Sequence, residues 1–225
     1  PEIKKAMQDY ISDGYFSYTP KTGFEDFKKA FSSYVKRRKE EDINPEYVLP
    51  IDSAARGMDI IAKAFLKPGD EMIVFDPCDY LFREACVQSG ATPIFYPCKM
   101  DPEKREMDLS DLEDYITDKT KMIGLCNPHN PYGLLYSVEQ LEFIMSLCEK
   151  HKLYIMNDEI WSDIIYSDAK FNSIYCLGND RCKNVLSVFG YSKSFGLAGL
   201  RIGNIYCTNK ENFNKVLEKS QVLST

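Results

Sequence analysis

Short apolar runs separated by longer amphipathic stretches constrain this chain most. Glu71-Met72-Ile73-Val74-Phe75, Lys121 to Cys126, Leu153-Tyr154-Ile155-Met156, Asn184 to Phe189 and Ile202 to Cys207 carry apolar residues at consecutive positions rather than alternate ones. A strand apolar on both faces belongs to a sheet covered on both faces. Thr92-Pro93-Ile94-Phe95-Tyr96 reads as a further strand, and Tyr47 to Ile51 as an apolar run entering a turn. Between them, residues 24–38, 54–66 and 79–89, a stretch near 109–117, and a segment opened by Ser137 and Gln140 as a capping box and running to Lys150 read as helices. Turn signals at Lys67-Pro68-Gly69-Asp70 and Asp76-Pro77 separate them. The alternation predicts an α/β domain of three layers, with a mostly parallel central sheet and helices on both faces. Ligands of such sheets bind beyond the carboxyl ends of the strands.

Composition narrows the function classes. The 225 residues carry a formal net charge of -6, which disfavours nucleic acid as the main partner. The basic run Lys36-Arg37-Arg38-Lys39 is followed at once by Glu40-Glu41-Asp42 and reads as a solvated helix end. The cysteines never form a C-x-x-C pair, and several sit in apolar runs, so buried thiols explain them better than disulfides or zinc. With two histidines, His129 and His151, no His-rich metal site is expected. No signal peptide or membrane-spanning apolar run is visible, and the cytosol is the expected compartment. The chain begins at Pro1 without Met and stops at Val222-Leu223-Ser224-Thr225, which reads as a piece of a longer protein.

Three polar clusters each follow a strand, so they are expected to converge. The first is Asn127-Pro128-His129-Asn130-Pro131-Tyr132-Gly133, where two Asn-Pro steps hold Asn130 rigidly enough to donate to a ligand oxygen. Alone it fits a plain strand-to-helix turn equally well. The second is Asn157-Asp158-Glu159-Ile160-Trp161-Ser162-Asp163. A carboxylate ending a buried strand is costly unless paired, so Asp158 calls for a cation such as a protonated ring nitrogen, or else caps a helix. The third is Tyr191-Ser192-Lys193-Ser194-Phe195-Gly196-Leu197-Ala198-Gly199-Leu200-Arg201-Ile202-Gly203. A desolvated lysine beside a cation such as Arg201 yields a nucleophilic amine, whereas the plainer alternative is a glycine-rich surface loop. Arg201 also suits a phosphate.

Together these motifs, N-P-x-N-P-x-G, the Asp-Glu pair and Ser-Lys with an arginine eight places on, make the chain resemble the class I/II aminotransferases, the pyridoxal-5'-phosphate (PLP) enzymes of fold type I. The likeness runs from about Tyr10 to about Cys207. It implies that Lys193 forms the internal aldimine with PLP and later moves the substrate α-proton, and that Asp158 pairs with the pyridinium nitrogen, making the ring an electron sink. It implies that Asn130 and Trp161 donate to the ring hydroxyl oxygen, and that Ser192 and Arg201 belong to the phosphate cup. Ser53, Ala54 and Ala55 match a helix-opening turn whose N–H groups hold the phosphate, and Tyr18 a tyrosine that reaches the neighbouring subunit's phosphate in a homodimer.

Some positions depart from the family pattern. Where an aromatic ring usually stacks on PLP stands Asp79, with Tyr80 one place on as the replacement. Gly190 stands where Ser or Thr is frequent, and Ser53-Ala54-Ala55 is not the usual Gly-rich form. Residues 1–225 therefore read as the PLP-binding large domain, with the C-terminal small domain and its carboxylate-binding arginine absent. The implied reaction is transamination between amino and keto acids, with no metal, nucleic acid or membrane involved, and Tyr132 and Trp161 suggest a roomy aromatic-lined site. The stretches Asp158-Glu159-Ile160-x-Ser162-Asp163 and Gly14-Tyr15-Phe16-x-Tyr18 look closer to C–S β-lyases of the cystathionine β-lyase kind. An aminocyclopropane-carboxylate-synthase-like lyase and a non-catalytic PLP-binding regulator share the same residues.

Overall fold

A computed structural model describes residues 2–14, 16–101 and 106–222; Pro1, Tyr15 and residues 223–225, on which parts of the reading above fall, lie outside the described residues. The strands are β1 (Val48–Ile51), β2 (Glu71–Asp76), β3 (Thr92–Pro97), β4 (Lys99–Asp101), β5 (Glu106–Asp108), β6 (Thr120–Cys126), β7 (Tyr154–Asp158), β8 (Val185–Gly190) and β9 (Gly203–Tyr206). The helices are α1 (Glu2–Asp13), α2 (Glu25–Lys39), α3 (Ala54–Phe65), α4 (Tyr80–Gln88), α5 (Val138–His151) and α6 (Lys210–Val222). The main sheet runs β1-β9-β8-β7-β6-β2-β3, with β4 and β5 forming a separate hairpin. Its pairings are parallel except at β9, which is antiparallel to both neighbours.

The consecutive apolar positions explain the layers. On β2, Ile73 and Phe75 enter one apolar cluster, together with Phe31 and Val35 of α2 and Leu141 and Ile144 of α5. Met72 and Val74 enter the other, with Met58 and Ile61 of α3, Phe82 of α4 and Phe213 of α6. Side chains alternate across a strand, so a run without polar breaks feeds both clusters at once. Ser137 and Gln140 form the expected capping box of α5. Ser53 caps α3 by accepting from Arg56 N at 3.2 Å.

Two expectations need correction. The helix near 109–117 is only a single 3-10 turn, Leu112–Tyr115. Side-chain bonds to the backbone compete with helix there: Asp108 Oδ1 accepts from Ser110 N at 2.9 Å and Thr120 Oγ1 from Thr117 N at 2.9 Å. The basic run at the end of α2 is not wholly solvated. Lys36, Arg37 and Arg38 are exposed, but the Lys39 side chain is only 2% exposed and lies 3.0 Å from Glu159 Oε2 and 3.6 Å from Glu41 Oε1. Burial works to lower the Lys39 amine, but the two carboxylates outweigh it and hold the amine above its ordinary value. The same burial pushes Glu41 up to about 8.

Candidate active site

The three polar clusters follow β6, β7 and β8, which are neighbours in the sheet. Register brings them level: Cys126 pairs with Asp158, Asp158 pairs with Val188, and Asn127 N donates to Asp158 O at 2.9 Å. The clusters therefore emerge side by side at one sheet end.

Asp158 ends β7 and is 5% exposed. Its Oδ1 accepts from Ile160 N at 3.0 Å, and Oδ2 has no hydrogen-bond donor among the described residues. Burial is the main cause that pushes this carboxyl up to about 7, and the negative charges of Asp79 and Glu159 add to it. A buried carboxylate with one oxygen unmatched is the setting in which a protonated ring nitrogen would be bound.

Asn130 and Asp79 meet across two loops: Asn130 Nδ2 donates to Asp79 Oδ2 at 3.0 Å, while Asp79 Oδ1 caps α4 by accepting from Leu81 N at 3.0 Å. One hydrogen of the amide is thus used on Asp79, and the second is available to a ligand oxygen. The Asn130 turn is fixed from inside by His129, whose Nε2 lies 2.9 Å from Pro77 O and whose Nδ1 lies 3.3 Å from the Tyr136 hydroxyl. Burial lowers the His129 imidazole, in keeping with a neutral ring that locks the turn. The peptides before Pro77, Pro128 and Pro131 are cis.

Lys193 Nζ lies over the Trp161 ring, 4.9 Å from its centroid. Trp161 stands three residues beyond Asp158, so the amine comes to the same segment as the buried carboxylate. The expected desolvation of Lys193 is not present: the residue is exposed, as are Phe195, Gly196 and residues 198–201 of the turn after β8. Ser192 is half-buried and Arg201 exposed, with no ion pair to Arg201 among the described residues. Arg201 takes a left-handed φ of 52°.

The opening of α3 approaches the same end. A Cβ at Gly203 would lie 3.0 Å from Ser53 C and 3.1 Å from Ala54 N, and one at Gly190 would lie 2.7 Å from Ile160 Cδ1 and 3.5 Å from Ala54 Cβ. Ser53 and Ala54 therefore pack closely against Gly203, and Gly190 at the end of β8 against Ala54 and Ile160, whose N–H donates to Asp158. A helix N-terminus presents unpaired N–H groups suited to phosphate. Gly203→Ala is expected to cost about 1–3 kcal/mol by pushing against backbone that cannot yield as a side chain does. Urea denaturation of the variant measures this.

Tyr80 stands 69% exposed on the first turn of α4, directly after Asp79, and Tyr18 is 100% exposed on the segment after α1. Tyr132 stacks on His129 with centroids 5.8 Å apart rather than lining the adjacent cleft. That cleft, about 440 Å³, is bordered by Asn130, Trp161, Leu135, Ile164, Ile165 and Tyr166. The sequence did not single out the Asp79–Asn130 bond, nor Asp163 accepting from the Tyr34 and Ser194 hydroxyls. For Tyr34 and Asp163, 129 residues apart, no local pattern signals their contact.

The raised Asp158 carboxyl has a stability consequence. Its value in the folded chain lies above the ordinary 3.8, so the folded state keeps a proton that the unfolded state has lost. Stability falls as pH rises from about 4 to about 7. Glu41, pushed up to about 8, acts in an overlapping window. Cofactor-free Asp158→Asn protein is expected to lose part of this fall between about pH 4 and pH 7, which urea midpoints across that range measure.

An α/β sheet of this order with helices on both faces is the fold of the fold type I PLP-dependent transferases. The family model for class I and II aminotransferases matches residues 1–224, and the chain belongs to that family. It is 30% identical over 220 residues to an aspartate aminotransferase of Sulfolobus acidocaldarius, covering 97% of this chain and 53% of that protein. An alanine aminotransferase structure from Pyrococcus furiosus superposes with a TM-score of 0.88 at 29% identity, covering 100% of this chain and 56% of that one. Cystalysin of Treponema denticola, whose structure contains a pyridoxal 5'-phosphate cofactor, superposes with a TM-score of 0.92 at 22% identity, covering 99% and 56% respectively, a likeness of fold. The chain spans about half the length of the curated relatives it matches. Among the described residues no helix is long and apolar enough to cross a membrane, and no group of His, Cys, Asp and Glu is arranged to hold a metal ion.

The residues present fit PLP. The unmatched Asp158 Oδ2 suits the ring nitrogen, the second Asn130 amide hydrogen the ring hydroxyl oxygen, and the α3 N-terminus with Arg201 the phosphate.

Proposed function

We propose that the protein is a PLP-dependent aminotransferase exchanging an amino acid and a keto acid, and that residues 1–225 are its cofactor-binding large domain. The observation that carries this is the meeting of Lys193 Nζ with Trp161, on the segment that begins at the buried Asp158. When bound, PLP supplies an aldehyde that condenses with amines and a ring that accepts the electrons released at the substrate α-carbon.

The chain's own residues account for the rest. Asp158, in a dry strand end, holds a proton at the ring nitrogen through its free oxygen. Asn130 orients the ring hydroxyl oxygen, and the Trp161 indole N–H is a second donor of the right kind. Lys193 supplies the amine that anchors the cofactor and, once displaced, the base that takes the substrate α-proton. Ser53, Ala54, Ala55, Ser192 and Arg201 form the phosphate cup. Tyr80, directly after Asp79, takes the place of the missing stacking ring in this reading.

A homodimer completes this reading. Helix α1 buries none of its residues, and Ile3, Met7, Tyr10, Ile11, Phe16 and Tyr18 are all exposed. Apolar residues gathered on one terminal segment suit a subunit interface. Tyr18 then serves a neighbour's phosphate.

The test is an absorbance scan of the intact protein with PLP, followed by a panel of amino acids with 2-oxoglutarate. Keto-acid exchange supports the proposal. Pyruvate release from cystathionine without exchange indicates a C–S β-lyase, and bound cofactor that reacts with no amino acid indicates a regulator.

A further inference from the structure

Asp163 gathers donors from two segments far apart in the chain. The Tyr34 hydroxyl donates to Oδ2, Ser194 Oγ donates to the same oxygen at 2.6 Å, and Arg38 Nε lies 3.5 Å from Oδ1. The side chain is only 11% exposed, so these partners take the place of water around it. Ser194 directly follows Lys193.

Helix α2, which supplies Tyr34 and Arg38, is itself firmly seated. Its Phe31 and Val35 are buried, and Phe31 meets Phe189 of β8 with centroids 5.7 Å apart. A second contact joins α2 to the lysine turn: Tyr34 meets Phe195 at 5.7 Å. The turn is thus held against α2 by ring contacts at Tyr191, which meets Phe27 at 5.8 Å, and at Phe195, and through Asp163 at Ser194. The residues beyond it are mostly exposed and include left-handed backbone at Gly196 (66°) and Arg201 (52°), so they offer little rigidity of their own.

Asp163 also lies five residues beyond Asp158, on the segment that carries Trp161. One carboxylate therefore links α2, the segment leaving Asp158 and the turn that bears Lys193. We propose that Asp163 is a positioning residue that sets where the Lys193 amine stands relative to Asp158, through its bond to Ser194. The proposal rests on the assignment of Lys193 as the cofactor lysine. Asp163 does not touch the cofactor in this account.

The experiment uses the intact protein in Asp163→Asn, Ser194→Ala, Ser194→Thr and Lys193→Ala forms. Two quantities are read: the rate at which PLP is captured, by visible absorbance, and hydrogen exchange over residues 191–201 without cofactor. Asp163→Asn and Ser194→Ala are expected to slow capture about tenfold or more, as for the loss of one hydrogen bond to a charged acceptor. Exchange in 191–201 rises in both, while β7 stays protected. Ser194→Thr, which keeps the hydroxyl, is expected to stay near the parent in both readouts. Parental capture and exchange in Ser194→Ala overturns the proposal, and this arm decides if Asp163→Asn fails to fold. Equal slowing in Ser194→Thr and Ser194→Ala also overturns it, because the hydroxyl is then not what matters. If Lys193→Ala keeps the absorbance, the lysine assignment itself fails; if it loses it while both Asp163→Asn and Ser194→Ala match the parent, only the role of Asp163 falls.

Discussion

Lys193→Ala is expected to abolish the visible absorbance of the PLP-loaded protein and to lower turnover by at least about 10²–10⁴-fold, the share of positioned proton transfer alone. The loss of covalent anchoring adds to it. The variant should fold normally, since Lys193 is exposed and its neighbour across the gap is the Trp161 face. The controls are far-ultraviolet circular dichroism and the urea midpoint, both expected to match the parent. Substituting the remaining lysines of the exposed surface should leave the absorbance in place.

The second large effect is on stability and lies beneath the site. Lys39→Met is expected to cost about 3–5 kcal/mol, because it leaves Glu41 and Glu159 inside the protein without their cation. Glu159 is tied into a wider polar network: its Oε1 accepts from Asn157 Nδ2 at 3.1 Å, Ser173 Oγ at 2.9 Å and Ile174 N at 3.3 Å. Asn157 Nδ2 also donates to Ser187 Oγ at 2.9 Å, which connects β7 to β8. Adding Glu159→Gln to Lys39→Met should recover part of the loss, since the amide oxygen still accepts while the buried charge is gone. Urea denaturation of the parent, Lys39→Met, Glu159→Gln and the double variant gives the coupling; additive losses in the double variant would count against it.

The apolar runs made the layers legible because a strand buried on both faces has no polar positions to spare. β6, β7 and β8 could be read from Lys121 to Cys126, Leu153 to Met156 and Asn184 to Phe189 with ends displaced by one or two residues. The β4–β5 hairpin was not legible, because Lys99, Asp101, Glu106 and Asp108 give it a charged, loop-like composition. The antiparallel sense of β9 is likewise set by tertiary pairing rather than by its own residues. Within the site, Asn130, Asp158 and Lys193 stood out because each follows a strand and each is chemically conspicuous there. What joins them was hidden in long-range contacts. The Asp79–Asn130 bond spans 51 residues, and Lys39, which belongs to a run of four basic residues, is buried only because Glu41 and Glu159 fold against it.

If the Lys193 amine and the Asp158 carboxylate act on opposite sides of one cofactor ring, the bound cofactor must span them. A crystal structure of the intact protein grown with PLP tests it most directly. Continuous density is expected from Lys193 Nζ to the cofactor, with Asp158 Oδ2 within hydrogen-bond distance of the ring nitrogen and the phosphate at the start of α3. Cofactor joined to a different lysine, or a ring nitrogen facing solvent with Asp158 still unmatched, would contradict it.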